Sequence, residues 1–239
     1  MAKYGSANVA FFAVDGYDLK GVSTTLADVT TAATEETHGL GDSWVEHMPA
    51  GLRSATLSAE GFYDDATDAS NAALVGKETT ERVVCYGYEG NTNGQQMIGH
   101  VGAYGGTYTR TAARGELTKA NAEWTITGQK DDAVILHALG AETATGSATA
   151  VDQAASTAAG GAGYLQITAS SGTSPTVDVK IRDSADNSTF ADLITFTQAT
   201  GRTAERKTVA GTINRYVQAT WTHGGTSPSF TMLVGLARD

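Results

Sequence analysis

Five histidines, one cysteine and a few clustered acids are the residues of this 239-residue chain with which chemistry could be done. A metal site asks for ligands at short, repeated spacing on one helix or hairpin. His38, His47, His100, His137 and His223 are scattered instead, and no His-x-x-x-His or His-Glu-x-x-His spacing occurs. No Gly-x-Ser-x-Gly elbow is present to carry a serine nucleophile. Cys85 lies in Val-Val-Cys-Tyr-Gly-Tyr, the setting of a small apolar strand residue, with no neighbouring cation to favour a thiolate. These patterns supply no catalytic, metal or cofactor residue, and the chain is expected not to be an enzyme.

Other clusters have structural readings. Asp64 and Asp65, followed by Asp68, could hold calcium or work as an acid–base pair, but adjacent strand residues face opposite ways and no calcium-loop glycine follows. They read as a solvated turn or as subunit-contact candidates. Gly102, Gly105 and Gly106 lack the strand–loop–helix setting and the Lys-Ser/Thr of a phosphate loop, so a bulge or tight hairpin is expected there. Arg110 and Arg114 just beyond are the densest positive charge of the first half and complete the contact candidates. In Asp-Ser-Ala-Asp-Asn-Ser-Thr-Phe, residues 183–190, Asp186 is expected to bond backbone N–H groups of an Asp-box-like turn, with Phe190 packed beneath it. A sugar-stacking role would use an exposed Trp, but Trp221 falls on the apolar face of its strand with Val217 and Ala219.

The elements that position these residues are strands. With 28 Gly, 3 Pro and 35 Thr, composition favours β-structure with tight turns over a helical bundle. One short helix is expected at 66–76, with Asp68 as its N-cap and Gly76 closing it. One cysteine allows no internal disulfide; no signal-peptide run or membrane-spanning stretch is found, so a soluble protein made in a cytoplasm is expected, with no membrane insertion.

Net charge is −10 and lies wholly in the first part: residues 1–144 hold 9 Lys and Arg against 19 Asp and Glu, residues 145–239 hold 7 against 7. A DNA-gripping protein would need a basic surplus, and tight nucleic-acid binding is not expected. Solubility is the bland cause of such a charge. The step coincides with an Ala/Thr/Gly-rich stretch at 145–162, expected to be a linker between a first domain (1–144) and a second (163–239). Val151 could begin a strand of the second domain. In the second domain Leu165/Ile167, Val177/Val179/Ile181, Val217/Ala219/Trp221 and Phe230/Met232/Val234/Leu236 alternate with period two. With turn signals at Ser-Ser-Gly-Thr-Ser-Pro (170–175), 183–189, 199–201 and His-Gly-Gly-Thr-Ser-Pro (223–228), five or six short strands of a sandwich or jelly roll are expected.

The first domain carries HGLGDSWVEHMPAGLRSATLSAEGFYDD (38–65) and TRTAARGELTKANAEWTITG (109–128), separated by a short helix and the strand ERVVCYGYEG. In these segments, over about residues 18–130, it resembles the tail tube (major tail) proteins of long-tailed bacteriophages and related gene-transfer and injection particles. The second domain resembles the outer β-sandwich additions of such proteins in DSADNSTFADL and RYVQATWT. The resemblance implies an all-β fold with one short helix: a tail-tube-type β-barrel or sandwich, then a small antiparallel β-sandwich or jelly roll.

It further implies a structural virion protein, located in the tail and made in the host cytoplasm. Such subunits form stacked hexameric rings through which double-stranded DNA passes, and partner with tape measure and terminator proteins. An acidic wall fits sliding, because it repels phosphates. Glu60, Glu89 and Glu123, read as strand residues, are the lumen candidates. A head decoration or tail-tip protein, or a carbohydrate-binding adhesive module, are the alternative readings.

Overall fold

Alternating apolar and polar residues dictate the architecture, since each strand must bury one side-chain row. In the computed structural model, residues 9–36, 40, 43–44, 47–76, 79–128 and 130–239 are described. The elements run β1 (Phe11–Val14), β2 (Tyr17–Asp18), β3 (Ser23–Glu36), β4 (His47–Phe62), α1 (Ser70–Leu74), β5 (Glu81–Gly87), β6 (Gln96–Thr111), β7 (Lys119–Ile126) and β8 (Lys130–Glu142). They continue with β9 (Gly146–Ser147), β10 (Val151–Asp152), β11 (Gly161–Ser184), β12 (Ala191–Thr195), β13 (Thr203–Val209) and β14 (Tyr216–Arg238). The described residues are thus all-β with one short helix, and their ladders are antiparallel. One path of pairing runs β12-β11-β14-β8-β6-β5-β1-β2, and a branch runs β6-β7-β4-β3.

The alternating rows of the second half meet in one core: Leu165, Ile167, Val177, Val179, Ile181, Val217, Ala219, Trp221, Phe230, Met232, Val234 and Leu236 are all buried. The strands that carry them are longer than expected. β11 has 24 residues and β14 has 23, and the two pair through both stretches expected to be turns. Gly172 (φ 121°), Ser174 (47°), Gly225 (93°) and Ser227 (49°) take left-handed backbone angles there. Because the ladder resumes beyond, those angles bend two facing strands at paired bulges without reversing either. Gly105 likewise sits at a register shift of β6 against β7.

The expected linker is also corrected. Within 145–162, β9 and β10 pair with β14, and Gly161 and Ala162 already belong to β11. Ala148 N–H donates to Ala219 O at 2.9 Å, Thr157 and Ile213 exchange backbone bonds, and Arg215 makes a two-pronged ion pair with Asp152. Small side chains have little apolar area to bury, which is what the composition registers. Their backbones still pair with the edge that β14 offers. Nor do the two parts keep separate cores: Phe11, Cys85, Met97, Ala133 and Ile135 pack in one cluster with Ala162, Tyr164, Leu233 and Ala237.

The helix is shorter than expected, and Asp68 does not cap it. Ala69 stands at the N-cap without a side-chain bond. Asp68 is drawn off by Arg202, 2.5 Å away, while the Ser70 hydroxyl fastens the helix start to Phe62 O. Gly76 follows with φ of 67°.

Candidate functional site

Strand β4 pairs with β7 only over Ala55–Phe62, although its hairpin with β3 continues out to the Glu36–His47 pair. Beyond Ala55 the hairpin is therefore a two-stranded arm. β3 is exposed from Val29 to Glu36. Val29, Met48 and Leu52 stand out in solvent along the arm, and Leu40 and Trp44, between its two strands in sequence, are also exposed; Trp44 keeps 84% of its surface. A two-stranded ribbon is marginal in water, and its free edges and apolar side chains are the features that a second chain covers. His38 lies outside the described residues, as do Gly41 and Asp42 of the Gly-Asp-Ser-Trp motif.

At the base of the arm the sheet has two unlike faces. Leu57, Ala59, Ala122 and Trp124 point inward and are buried. Glu60 stands opposite Asn121 and Glu123 opposite Ser58, so the two glutamates are diagonal neighbours on the other, exposed face. With Thr56 and Thr125 they make a polar, net-acidic surface. Glu89 does not share it. It follows the end of β5, where Gly90 at φ 129° turns the chain toward β6, and its carboxylate accepts the Gln96 N–H at 3.2 Å.

Asp64, Asp65, Arg110 and Arg114 gather at one end of the β4–β7–β6 sheet, because β4 and β6 both end opposite Lys119. Asp64 accepts the Ala66 N–H at 3.0 Å, and Asp65 is exposed. Arg110 lies 5.6 Å from the Tyr108 ring centre, and Arg114 sits in an exposed turn closed by Gly115. Far from them, Asp186 accepts from the Ser184 hydroxyl and from Ser188 and Thr189 N–H at 2.8–2.9 Å. Those bonds hold its carboxyl down at about 2. Phe190 is half-buried, and its carbonyl accepts from Arg182.

Sequence reasoning missed the buried polar groups that join the parts of the chain. Tyr164 of β11 donates to Asp131 of β8 at 2.5 Å, and Arg206 of β13 reaches the same carboxylate at 2.8 Å. Gln166 of β11, fully buried, accepts the Gly16 N–H at 2.7 Å and donates to Val83 O at 2.8 Å, holding the β1–β2 turn. That turn needs its Asp-Gly pair: Asp15 and Gly16 have φ of 48° and 78°, and Asp15 is ion-paired with buried Arg82. Arg82, in one row with Val84 and Tyr86, and Gln166, between Leu165 and Ile167, are polar residues inside apolar strand stretches, which is the signal that could have found them; Arg206, in a mostly polar strand, carries no such mark. Cys85, buried beside Gln166, has its thiol pushed up to about 12 by burial, so it is an inert core group. His100 is buried and hydrogen-bonded to Tyr86, which also bonds Asp28.

An open cleft beside β9 is lined by His137, Glu142, Thr145 and Trp221. His137 Nε2 lies 3.0 Å from Glu142 and its ring meets Trp221 edge-on at 4.7 Å. Trp221 is 6% exposed and donates its indole N–H to Ala144 O, which leaves no ring face for stacking on a sugar. Among the described residues no group of three or more His, Cys, Asp or Glu is placed to hold a metal ion, and no helix is long and apolar enough to cross a membrane.

No protein-family model matches the chain, and no curated protein does. Among solved structures it is similar to the tail of an empty gene transfer agent particle refined helically with C6 symmetry, at 13% identity, over 55% of this chain and 98% of that one, with a TM-score of 0.40. A chain of the native gene transfer agent virion gives 14% identity, the same coverages and a TM-score of 0.41. The SPP1 Dit protein, described as a hub of the adsorption apparatus of phages infecting Gram-positive hosts, gives 12% identity over 95% of this chain and 98% of that one, with a TM-score of 0.38. At 12–14% identity and TM-scores of 0.38–0.41, these similarities do not assign the chain to a family.

Proposed function

We propose that this chain is a non-enzymatic structural subunit of a phage-type tail, which polymerises through the β3–β4 arm into stacked rings enclosing a channel for double-stranded DNA. The observation that carries the reading is the arm, a free two-stranded ribbon with exposed Val29, Leu40, Trp44, Met48 and Leu52 along and beyond it. The resemblance in the 38–65 and 109–128 segments supports it independently. In this reading the face with Glu60 and Glu123 lines the channel, where fixed negative charge keeps phosphates from adhering and lets DNA slide. Sixfold rings, and tape measure and terminator proteins as neighbours, are part of the same proposal.

Negative-stain microscopy and sizing of the purified protein test it. Rings or tubes are expected at high concentration, and replacing residues 30–53 by a short Gly-Ser turn should abolish them while leaving a folded monomer. A native chain that stays monomeric at every concentration and salt overturns the reading, as does an armless chain that still forms tubes. Charge reversal by Glu60→Lys with Glu123→Lys should leave assembly intact and make the tubes retain DNA at low salt. A head-decoration protein would instead bind only to a preformed lattice, and an adhesive module would be held on glycans without forming filaments.

A further inference from the structure

Asp28 is the last residue of β3 that is not exposed before the strand leaves the body as the arm. Its carboxylate side chain is 7% exposed and reaches Tyr86 of β5, four strands away along the β3-β4-β7-β6-β5 path. Tyr86 Oη–H donates to Asp28 Oδ2 at 2.6 Å and lies 2.9 Å from Nε2 of His100. The hydroxyl has one proton and gives it to Asp28, so Nε2–H of His100 must be the donor in the second contact. The neutral ring then carries its lone pair on Nδ1, which is buried without a hydrogen-bond partner among the described residues.

We propose that the Asp28–Tyr86–His100 chain is an acid-sensitive latch at the root of the arm, opened when His100 takes up a proton at Nδ1. This deepens, and rests on, the reading of the arm as the assembly element. The imidazolium would bury an N–H with no acceptor, and a positive charge close to Lys130, which stands opposite His100 in the β6–β8 ladder. The titratable groups around the Asp28–Tyr86–His100 chain are Lys130 and Asp131 of β8, which act on His100 together with Asp28, and Tyr88, just past the end of β5, and Asp132 of β8, which act on Tyr86. Burial is the largest influence and, with Lys130, outweighs the pull of Asp28 and Asp131, so His100 is held below the ordinary histidine value. The open latch therefore binds the proton more readily than the closed one. Closure is at full strength above the ordinary histidine value of about 6.5 and is lost progressively as pH falls below it.

Amide hydrogen exchange of residues 23–30, expressed as protection factors at pH 7.5 and pH 5, reads the latch whether or not tubes form. Protection should fall by several-fold in the native chain, with a ceiling of about 30-fold for an open-state value near 6.5. It should stay flat with pH in His100→Gln, whose amide can still donate to Tyr86. Equal protection at both pH values in the native chain, or the same loss in His100→Gln, overturns the proposal. Should that variant not fold, the imidazole titration of His100 in the native chain decides: a midpoint below about 6.5, with protection lost between about 6.5 and that midpoint, supports the latch, and one at or above about 6.5 refutes it. Failure to polymerise at pH 7.5 with the exchange behaviour intact would count against the tube alone.

Discussion

Thr173 of β11 stands directly opposite Thr226 of β14, and each is the second residue of a Gly-Thr-Ser-Pro sequence. The antiparallel pairing therefore places the same four residues on both sides of a local twofold relation. In each copy the Gly and the Ser take positive φ. A side-chain carbon on Gly225 would come within 2.4 Å of Ser174 O, and one on Gly172 within 2.7 Å of Ser227 O.

Substituting Gly225 by Ala should therefore destabilise the protein by about 2–4 kcal/mol, joining left-handed strain to a backbone clash. Gly211→Ala keeps the strain, at φ 87°, but meets no atom within 4 Å, and should cost about 1–2 kcal/mol. Urea unfolding of the two variants measures the difference. Equal losses would show that the close facing of the bulges contributes nothing.

The shared core makes a second expectation. Met97, Ala133 and Ile135 pack against Tyr164, Leu233 and Ala237, and the Tyr164 ring lies where a side chain on Gly99 would be, 2.4 Å from the added carbon. A chain ended at Thr145 loses the pairing of β8 with β14 and uncovers that cluster. It should be insoluble or lack a cooperative transition, whereas the full chain melts in one step. Calorimetry of the full chain and of the 1–145 and 148–239 fragments checks this, and two independently folding fragments would restore the two-domain division.

Asp186 gives a pH signature of its own. Its folded value near 2 lies below the ordinary aspartate value, so its contribution to stability is present above that ordinary value and disappears as pH falls through about 2. Asp186→Asn should melt earlier than the native protein at pH 7, and the gap should close on acidification toward pH 2. A gap unchanged with pH would assign the loss to shape alone.

Much of this was legible from period-two alternation, because a half-buried strand writes its exposure directly into its residue types. Val177, Val179 and Ile181 are buried as their spacing requires. Strand length was not legible, since Gly172 and Gly225 announce positive φ but not whether the chain reverses or only bends. The linker reading failed for a related reason: Ala148 and Thr157 have little to bury, while their N–H groups, whose partners lie up to 71 residues away, carry no mark in composition. Glu60 and Glu123 could be assigned to strands from their neighbours. Their diagonal placement came only with the β4–β7 register, and Glu89 lies off the strands because β5 already ends at Gly87.

Strand β14 pairs with β8, β9, β10 and β11, all of which precede it in the chain. During synthesis those four strands leave the ribosome before the one that joins them, and the shared cluster of Phe11, Cys85, Met97 and Tyr164 stays open until Leu233 and Ala237 arrive. A chain of this design is slow to close, in the manner of sheets built from distant pairings. Until it closes, the newly made chain carries exposed strand edges besides those of the arm, which makes it a natural client for a chaperone at the exit tunnel.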